Sequence, residues 1–372
     1  MRILAIEPYY GGSHKAFLDG WAGRSRHDFT LLALPPYFWK WRMRHAAITL
    51  AGQVRRRIDE GNGWDLLFCS DMLSLAEFKG LAPRPVSDLP SVVYFHENQL
   101  TYPARHSDVR DVHFVVTNLT TALAADAIWW NSAYHRDDFL TALSDWCRKL
   151  PDHPPADAVG RIGSRSQVHW PGIEPAPVRG DRLPGPFRIL YAARWEHDKQ
   201  PEVFFAGIEK LAAGGRAFRL DVLGESFSQV PEVYQQVRGR LADHIDQWGY
   251  AKSQEAYRQI LQRADVVVST ARHEFFGLSV AEAVAAGAWP VVPEKLAYPE
   301  LLADLDGQEK SGMFTPADPD ALAGRLGQLA RRLDERGRLY DDPAQPVGAM
   351  ARYAWPKRAA ELDDAAEAVE RQ

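Results

Sequence analysis

Short, nearly uninterrupted apolar runs recur along the chain, each closed by turn residues and followed by a segment with helical character. The first is Arg2-Ile3-Leu4-Ala5-Ile6-Glu7, stopped by Pro8-Tyr9-Tyr10-Gly11-Gly12, after which 14–22 reads as a helix carrying Phe17, Leu18 and Trp21. Further strands are predicted at 29–34, 65–69, 91–95 and 127–130, and Asn131-Ser132 supplies a cap for a helix over 133–149. Strands of four to six apolar residues alternating with helices describe a parallel sheet covered on both faces. The texture changes over 151–186, where a strand near Gln167-Val168-His169-Trp170 is followed by a linker containing Pro175, Pro177, Gly180, Pro184, Gly185 and Pro186. The pattern then restarts at 187–192. Helices are predicted at 200–213, 253–263, 278–286, 320–334 and 357–370, and strands at 218–223, 265–269 and 289–292. Two α/β units of similar size joined by a Pro/Gly hinge should place a cleft between the carboxyl ends of their strands, where loops and helix N-termini converge on ligands.

Composition narrows the class. With 46% hydrophobic and 25% charged residues the chain is globular, and no run approaches a membrane span. Cys69 and Cys147 are too few for a disulfide framework, and the start lacks the marks of a signal peptide, which together point to a reducing cytoplasm. The net charge is −5, unevenly spread: residues 1–180 hold 20 basic and 19 acidic groups, residues 181–372 hold 24 and 30. A polyanionic partner would therefore have to be met locally, in the first half.

Five segments carry candidate chemistry. In Ala271-Arg272-His273-Glu274-Phe275-Phe276-Gly277-Leu278-Ser279-Val280-Ala281-Glu282, Gly277 and the N–H groups after it suit diphosphate oxygens, while Glu274 and Glu282 suit the hydroxyls of two sugar rings. A solvated acidic helix start would look similar. Arg194 and Lys199 straddle the loop after strand 187–192 and can neutralise a leaving diphosphate, although a surface Glu196/Lys199 pair is the plainer alternative. Gly11-Gly12-Ser13-His14 permits close backbone approach but has neither GxGxxG nor GKS/T spacing, which argues against a dehydrogenase and a P-loop NTPase. Phe95-His96-Glu97-Asn98 ends a buried strand. His96 can bind a substrate hydroxyl or serve structurally, and Leu100 breaks the HExxH zinc pattern. Finally, Tyr37-Phe38-Trp39-Lys40-Trp41-Arg42-Met43-Arg44-His45 interleaves aromatics with bases, ahead of Arg55-Arg56-Arg57. It fits an RNA-facing surface or a core stripe with a solvated basic face.

Taken together, these residues resemble the retaining glycosyltransferases of family 4, with the GT-B fold, over essentially the whole chain. The match rests on Glu274 and Glu282 with Phe276-Gly277 between them, on Gly11-Gly12, on Arg194 and Lys199, and on Trp170-Pro171-Gly172-Ile173 before the hinge. Where the family has glycine directly after the lysine, this chain has Gln200. A narrower resemblance is to the tRNA-queuosine mannosyltransferase family, through Glu7-Pro8-Tyr9-Tyr10-Gly11-Gly12-Ser13-His14, Trp39-Lys40-Trp41-Arg42-Met43-Arg44, Phe95 to Pro103, and Asn131-Ser132-Ala133-Tyr134-His135.

What the resemblance implies is an α/β architecture of two Rossmann-like domains facing each other across a deep cleft. The first, 1–175, would bind the acceptor and the second, 176–345, the nucleotide sugar, with 346–372 packing back on the first. Glu274, His96, Arg194 and Lys199 would be catalytic. Gly11, Gly12, Arg194, Lys199, Glu274, Phe276, Gly277, Leu278, Ser279 and Glu282 would hold the donor, Glu282 taking the ribose and Glu274 the hexose. His14, Trp39, Lys40, Trp41, Arg42, Arg44, Glu97 and Asn98 would meet the acceptor. The implied reaction is mannosyl transfer from GDP-mannose to queuosine in a tRNA anticodon, with retention, no resident cofactor and no metal, by a cytoplasmic protein expected to be monomeric. A transferase acting on a lipid, glycan or small metabolite, a GT-B-type epimerase, and a non-catalytic RNA-binding protein are the competing expectations.

Overall fold

The computed structural model describes residues 1–103, 111–182, 184–224, 230–305 and 312–371. The chain forms two compact units, Met1–Gly172 with Trp355–Gln372, and Ile173–Ala354. The junctions thus fall at 172/173 and 354/355, against the sequence expectation of 175/176 and 345/346.

The first unit is built on six strands: β1 (Arg2–Glu7), β2 (Asp28–Ala33), β3 (Leu66–Ser70), β4 (Ser91–Phe95), β5 (Ala127–Trp130) and β6 (Ser166–Val168). They lie in the order β2-β1-β3-β4-β5-β6, every pair parallel. Because successive strand residues point to opposite faces, each apolar run feeds two cores. Leu4, Ile6, Leu67, Cys69, Val93, Phe95 and Trp130 pack on one face, and Ile3, Ala5, Phe68, Tyr94 and Trp129 on the other. This is why the strands read as continuous rather than alternating hydrophobic runs.

Helix Trp355–Glu370 closes the second of these cores. The Trp355 indole sits directly on Gly20 and Gly172, where a Cβ would come within 2.2 Å and 2.1 Å of it. Asp363 fixes the helix by accepting from Trp21 Nε1 (2.8 Å), Ser25 Oγ (2.6 Å) and the backbone N–H of Arg26 (2.9 Å).

In the second unit, β7 (Phe187–Ala192), β8 (Phe218–Leu223), β9 (Ile245–Trp248), β10 (Val266–Val268) and β11 (Trp289–Val291) form a parallel sheet in the order β11-β10-β7-β8-β9. The sequence reading missed β9, whose Asp246, Gln247 and Trp248 give no apolar run, and also missed helices Val112–Ala124 and Val233–Arg240.

Each sheet has one point where the winding direction reverses: between β1 and β3 in the first unit, and between β7 and β10 in the second. Loops leaving the carboxyl ends on either side of such a point diverge and leave a crevice for a ligand. The chemistry described next lies at these two points. No helix among the described residues is long and apolar enough to cross a membrane.

Candidate active site

In the second unit the loop after β7 carries Arg194 and Lys199, and the loop after β10 carries His273 and Glu274. Lys199 is buried in a short 3-10 turn, His197–Lys199. Its ammonium donates to His273 O (2.8 Å) and Glu274 Oε2 (3.2 Å) and lies 3.2 Å from Asp198 Oδ2. Burial opposes the charge on Lys199, but Glu274 and Asp198 outweigh it and raise the pKa. Burial likewise favours the neutral carboxyls of Glu274 and Asp198, and Lys199 reverses that, holding both below their ordinary values. Lys199 is therefore committed to carboxylates, and Arg194, whose side chain is 43% exposed and lies 3.6 Å from Glu196 Oε2, is the outward cation of the pair. Burial and the adjacent Lys199 lower His273 to about 4, so this imidazole is neutral at pH 7.

Gln200, where the resemblance calls for glycine, adopts the left-handed conformation that glycine would supply, at φ 49° and ψ 54°. A non-glycine residue there costs on the order of 1 kcal/mol. Its amide offsets this when the nitrogen faces Thr270 O (3.0 Å) and the oxygen faces Arg272 Nε (2.9 Å).

Gly277 (φ 96°) turns the chain into helix Leu278–Ala285, which starts without a side-chain cap and so leaves first-turn N–H groups available to an anion. Ser279 Oγ donates to Ala192 O (2.6 Å), pinning this helix to the end of β7. Phe276 is buried edge-on against Tyr353, so its side chain is structural and only its backbone lies along the loop. Glu282, one turn into the helix, accepts from Tyr257 Oη at 2.6 Å, and burial raises its pKa. Tyr257 was not foreseen; it comes from a separate helix, and no local sequence signal ties it to Glu282. A basic groove lined by Arg182, Lys210, Arg216 and Arg331 opens at the amino-terminal edge of the same sheet, away from these residues.

In the first unit, Glu7 ends β1, fully buried. Its Oε1 accepts from the N–H of Tyr9 (2.8 Å) and Ser70 Oγ (3.0 Å), and its Oε2 lies 3.1 Å from His14 Nδ1. Gly11 is required because a Cβ there would lie 2.6 Å from Pro36, and Gly12 takes φ 52° in open space at the uncapped start of helix Gly12–Ala22. His14 stacks on His96, with ring centroids 4.0 Å apart, and Asp71 Oδ1 accepts from the His96 N–H (2.8 Å). Sequence reasoning missed Glu7 and Asp71 as site residues, although each is a carboxylate ending an apolar strand run. One ligand-type atom from each of Glu7, His14 and His96 lies within 4.8 Å of the others, the one such group among the described residues. The Glu7–His14 hydrogen bond makes it a charge network.

Asn98, expected to meet the acceptor, lies turned into the fold. Fully buried, it donates to Thr101 Oγ1 (2.9 Å), lies 3.0 Å from His135 Nε2, and accepts from the N–H groups of Leu100 and Thr101. All of its polar capacity goes into shaping the loop after β4. Glu97 is half-buried and accepts from Gln99 Nε2.

Helix Trp39–Asp59 holds six Lys/Arg and one acidic residue. It sorts the aromatic-basic segment into two faces. Trp39 packs with Met43, Met72 and Phe114 and so belongs to packing, while Arg44 is exposed and rests over the Phe114 ring. Tyr37, Phe38 and Trp41 face outward, 60%, 81% and 61% exposed. Trp41 stacks on His45, which lies 2.9 Å from Arg42 Nη1; Lys40 rests over Trp39.

Two parallel sheets with paired glutamates, an uncapped glycine-led helix and an outward arginine at the second switch point define a glycosyltransferase of the GT-B class. Solved structures agree on the fold. Sucrose-phosphate synthase of Thermosynechococcus elongatus superposes with TM-score 0.70 at 14% identity, over 99% of both chains. HepE of Anabaena, determined with UDP and glucose, gives 0.66 at 15% over 99% of both. Residues 2–173 match the family described as tRNA-queuosine alpha-mannosyltransferase N-terminal, and 186–332 match glycosyl transferases group 1. The tRNA-queuosine alpha-mannosyltransferase of Drosophila melanogaster is 33% identical over 311 residues, covering 80% of this chain and 81% of that one. A GDP-mannose:cellobiosyl-diphosphopolyprenol alpha-mannosyltransferase of Xanthomonas oryzae is 26% identical over 198 residues, covering 52% and 50%. The chain belongs to the tRNA-queuosine alpha-mannosyltransferase family.

Proposed function

We propose that this enzyme transfers mannose from GDP-mannose to a hydroxyl of queuosine in a tRNA anticodon, with retention at the anomeric carbon, in the cytoplasm. What carries the reading is the 33% identity to the Drosophila enzyme across both units, together with the match of the first unit to that family's N-terminal half. Glu282, braced by Tyr257, binds the ribose diol, and Glu274, held ionised by Lys199, binds mannose hydroxyls. Arg194 and the N–H groups that begin helix Leu278–Ala285 take the charge of the departing diphosphate, so the reading calls for no metal. As the C1–O bond to phosphate breaks, the acceptor oxygen bonds to C1 on the same face, and its proton passes to the leaving diphosphate. His96 of the first unit takes a substrate hydroxyl.

The acceptor face is the outward side of the segment 37–45. Lys40, Arg42 and Arg44 hold phosphates there, and Tyr37, Phe38 and Trp41 offer stacking faces for unpaired bases. Incubation with GDP-mannose and queuosine-bearing tRNA should add one mannose, seen by mass spectrometry of the released nucleoside. Unmodified tRNA should receive none, and UDP-hexoses should not replace GDP-mannose. Transfer to a lipid or glycan but not to tRNA would overturn the assignment.

A further inference from the structure

The stacked pair of histidines in the first unit is not symmetric. His14 faces the buried carboxylate of Glu7, with Asp71 and Glu97 also contributing to its field. His96 has no such partner: its backbone N–H goes to Asp71 and its carbonyl accepts from Asn131 Nδ2. Its ring is packed by His14, Tyr94 (4.6 Å) and Phe17 (5.4 Å), and its Nε2 is buried without a hydrogen-bond partner. Two imidazoles at 4.0 Å cannot both carry a proton cheaply, so the carboxylate decides which one does.

We propose that Glu7 and His14 act as positioning residues which keep the positive charge of the stacked pair on His14, so that His96 presents a neutral ring able to accept the hydrogen bond of a substrate hydroxyl. The electrostatics run the same way. Burial alone would lower His14, but Glu7 overrides it and raises His14 to about 9. Burial, then His14, then His135 push His96 well below its ordinary value. Asp71 is raised to about 8 by burial, only partly opposed by His14. Within the pair, His14 thus holds the proton and His96 stays neutral. A neutral ring nitrogen can accept the O–H of a substrate hydroxyl, which a cationic ring cannot.

The inference rests on the transferase reading for its substrate but is tested apart from it. In nitrogen-15 spectra of the histidine rings of the intact protein, His14 should stay protonated and His96 neutral from about pH 5 to 8. Glu7→Gln should free His14 of its proton and bring the His96 titration up into that range. His14→Gln, which removes the cation directly, should do the same and serves as the second variant should Glu7→Gln fold poorly. In turnover, kcat/KM should gain an acidic limb in both variants, about tenfold lower at pH 6 than at pH 8, absent from the unaltered enzyme. Ring titrations and a pH profile unchanged in shape, with only a uniform loss of rate, would overturn the proposal. Absence of mannosyl transfer in the unaltered enzyme would instead count against the function, and the ring titrations would still decide this point.

Discussion

Removing the Lys199 charge isolates what the donor half-site stores. In Lys199→Met the stem and its packing persist, but Glu274 and Asp198 lose the cation that holds them ionised. Breaking a buried ion pair from one side costs about 3–5 kcal/mol. Lys199 is 8% exposed and Glu274 26%, so water reaches one partner and the lower end applies, about 3 kcal/mol. For a unit of this size that corresponds to a fall in Tm of about 6–12 °C. The pH dependence carries the sharper information. Carboxyls depressed below their unfolded pKa contribute stability that is present above that pKa and lost as pH falls through the depressed value. Without Lys199, burial raises both carboxyls, and they regain protons as the solution is acidified. The deficit of the variant should therefore be largest near pH 8 and shrink toward pH 5. Thermal melts of both proteins across that range test this. A deficit that is absent, or constant with pH, would refute a buried charge network at this position.

On the proposed function, Glu282→Gln should raise the KM for GDP-mannose by about 10–100-fold, with a smaller change in kcat, because it weakens the hydrogen bond proposed to the ribose; Tyr257→Phe should raise it about fivefold. A fall in kcat at unchanged KM would place Glu282 elsewhere. Trp355→Ala should cost about 3–5 kcal/mol by emptying the slot over Gly20 and Gly172. In a melt it should lower the transition of the first unit and leave unchanged the transition that GDP raises. Trp41→Ala should weaken tRNA binding by about 5–100-fold, the equivalent of one stacked base, with little effect on Tm. Trp39→Ala should do the reverse, since Trp39 packs on Phe114; equal effects on binding would show that the helix is not sorted into two faces.

Much of the fold was legible along the chain. Apolar runs such as Val92-Val93-Tyr94-Phe95 and Ile128-Trp129-Trp130 satisfy two cores at once, and only a parallel sheet covered on both sides asks that of a strand. Gly277 and the acid pair around it announced a strand-to-helix turn suited to phosphate. At Gln200 the backbone kept the geometry of the family's glycine, with side-chain hydrogen bonds offsetting the strain. Strand β9 stayed hidden because Asp246, Gln247 and Trp248 make no apolar run, and its place beside β8 is set by backbone pairing.

The site divided differently. Residue types and spacing along the chain singled out Glu274, Glu282, Arg194, Lys199, His14 and His96 by their chemistry. Only the tertiary structure decided what each one does with its charge. It joined Lys199 to Glu274, 75 residues away, and Tyr257 to Glu282; it turned Asn98 inward and Trp41 outward; and it set Glu7 against His14 beneath His96. Local pattern determines which elements form because helix and strand periodicities are properties of neighbouring residues. Ionisation and availability depend on burial and on partners brought together by the crossing of strands, and those distances exist only once the sheets are wound.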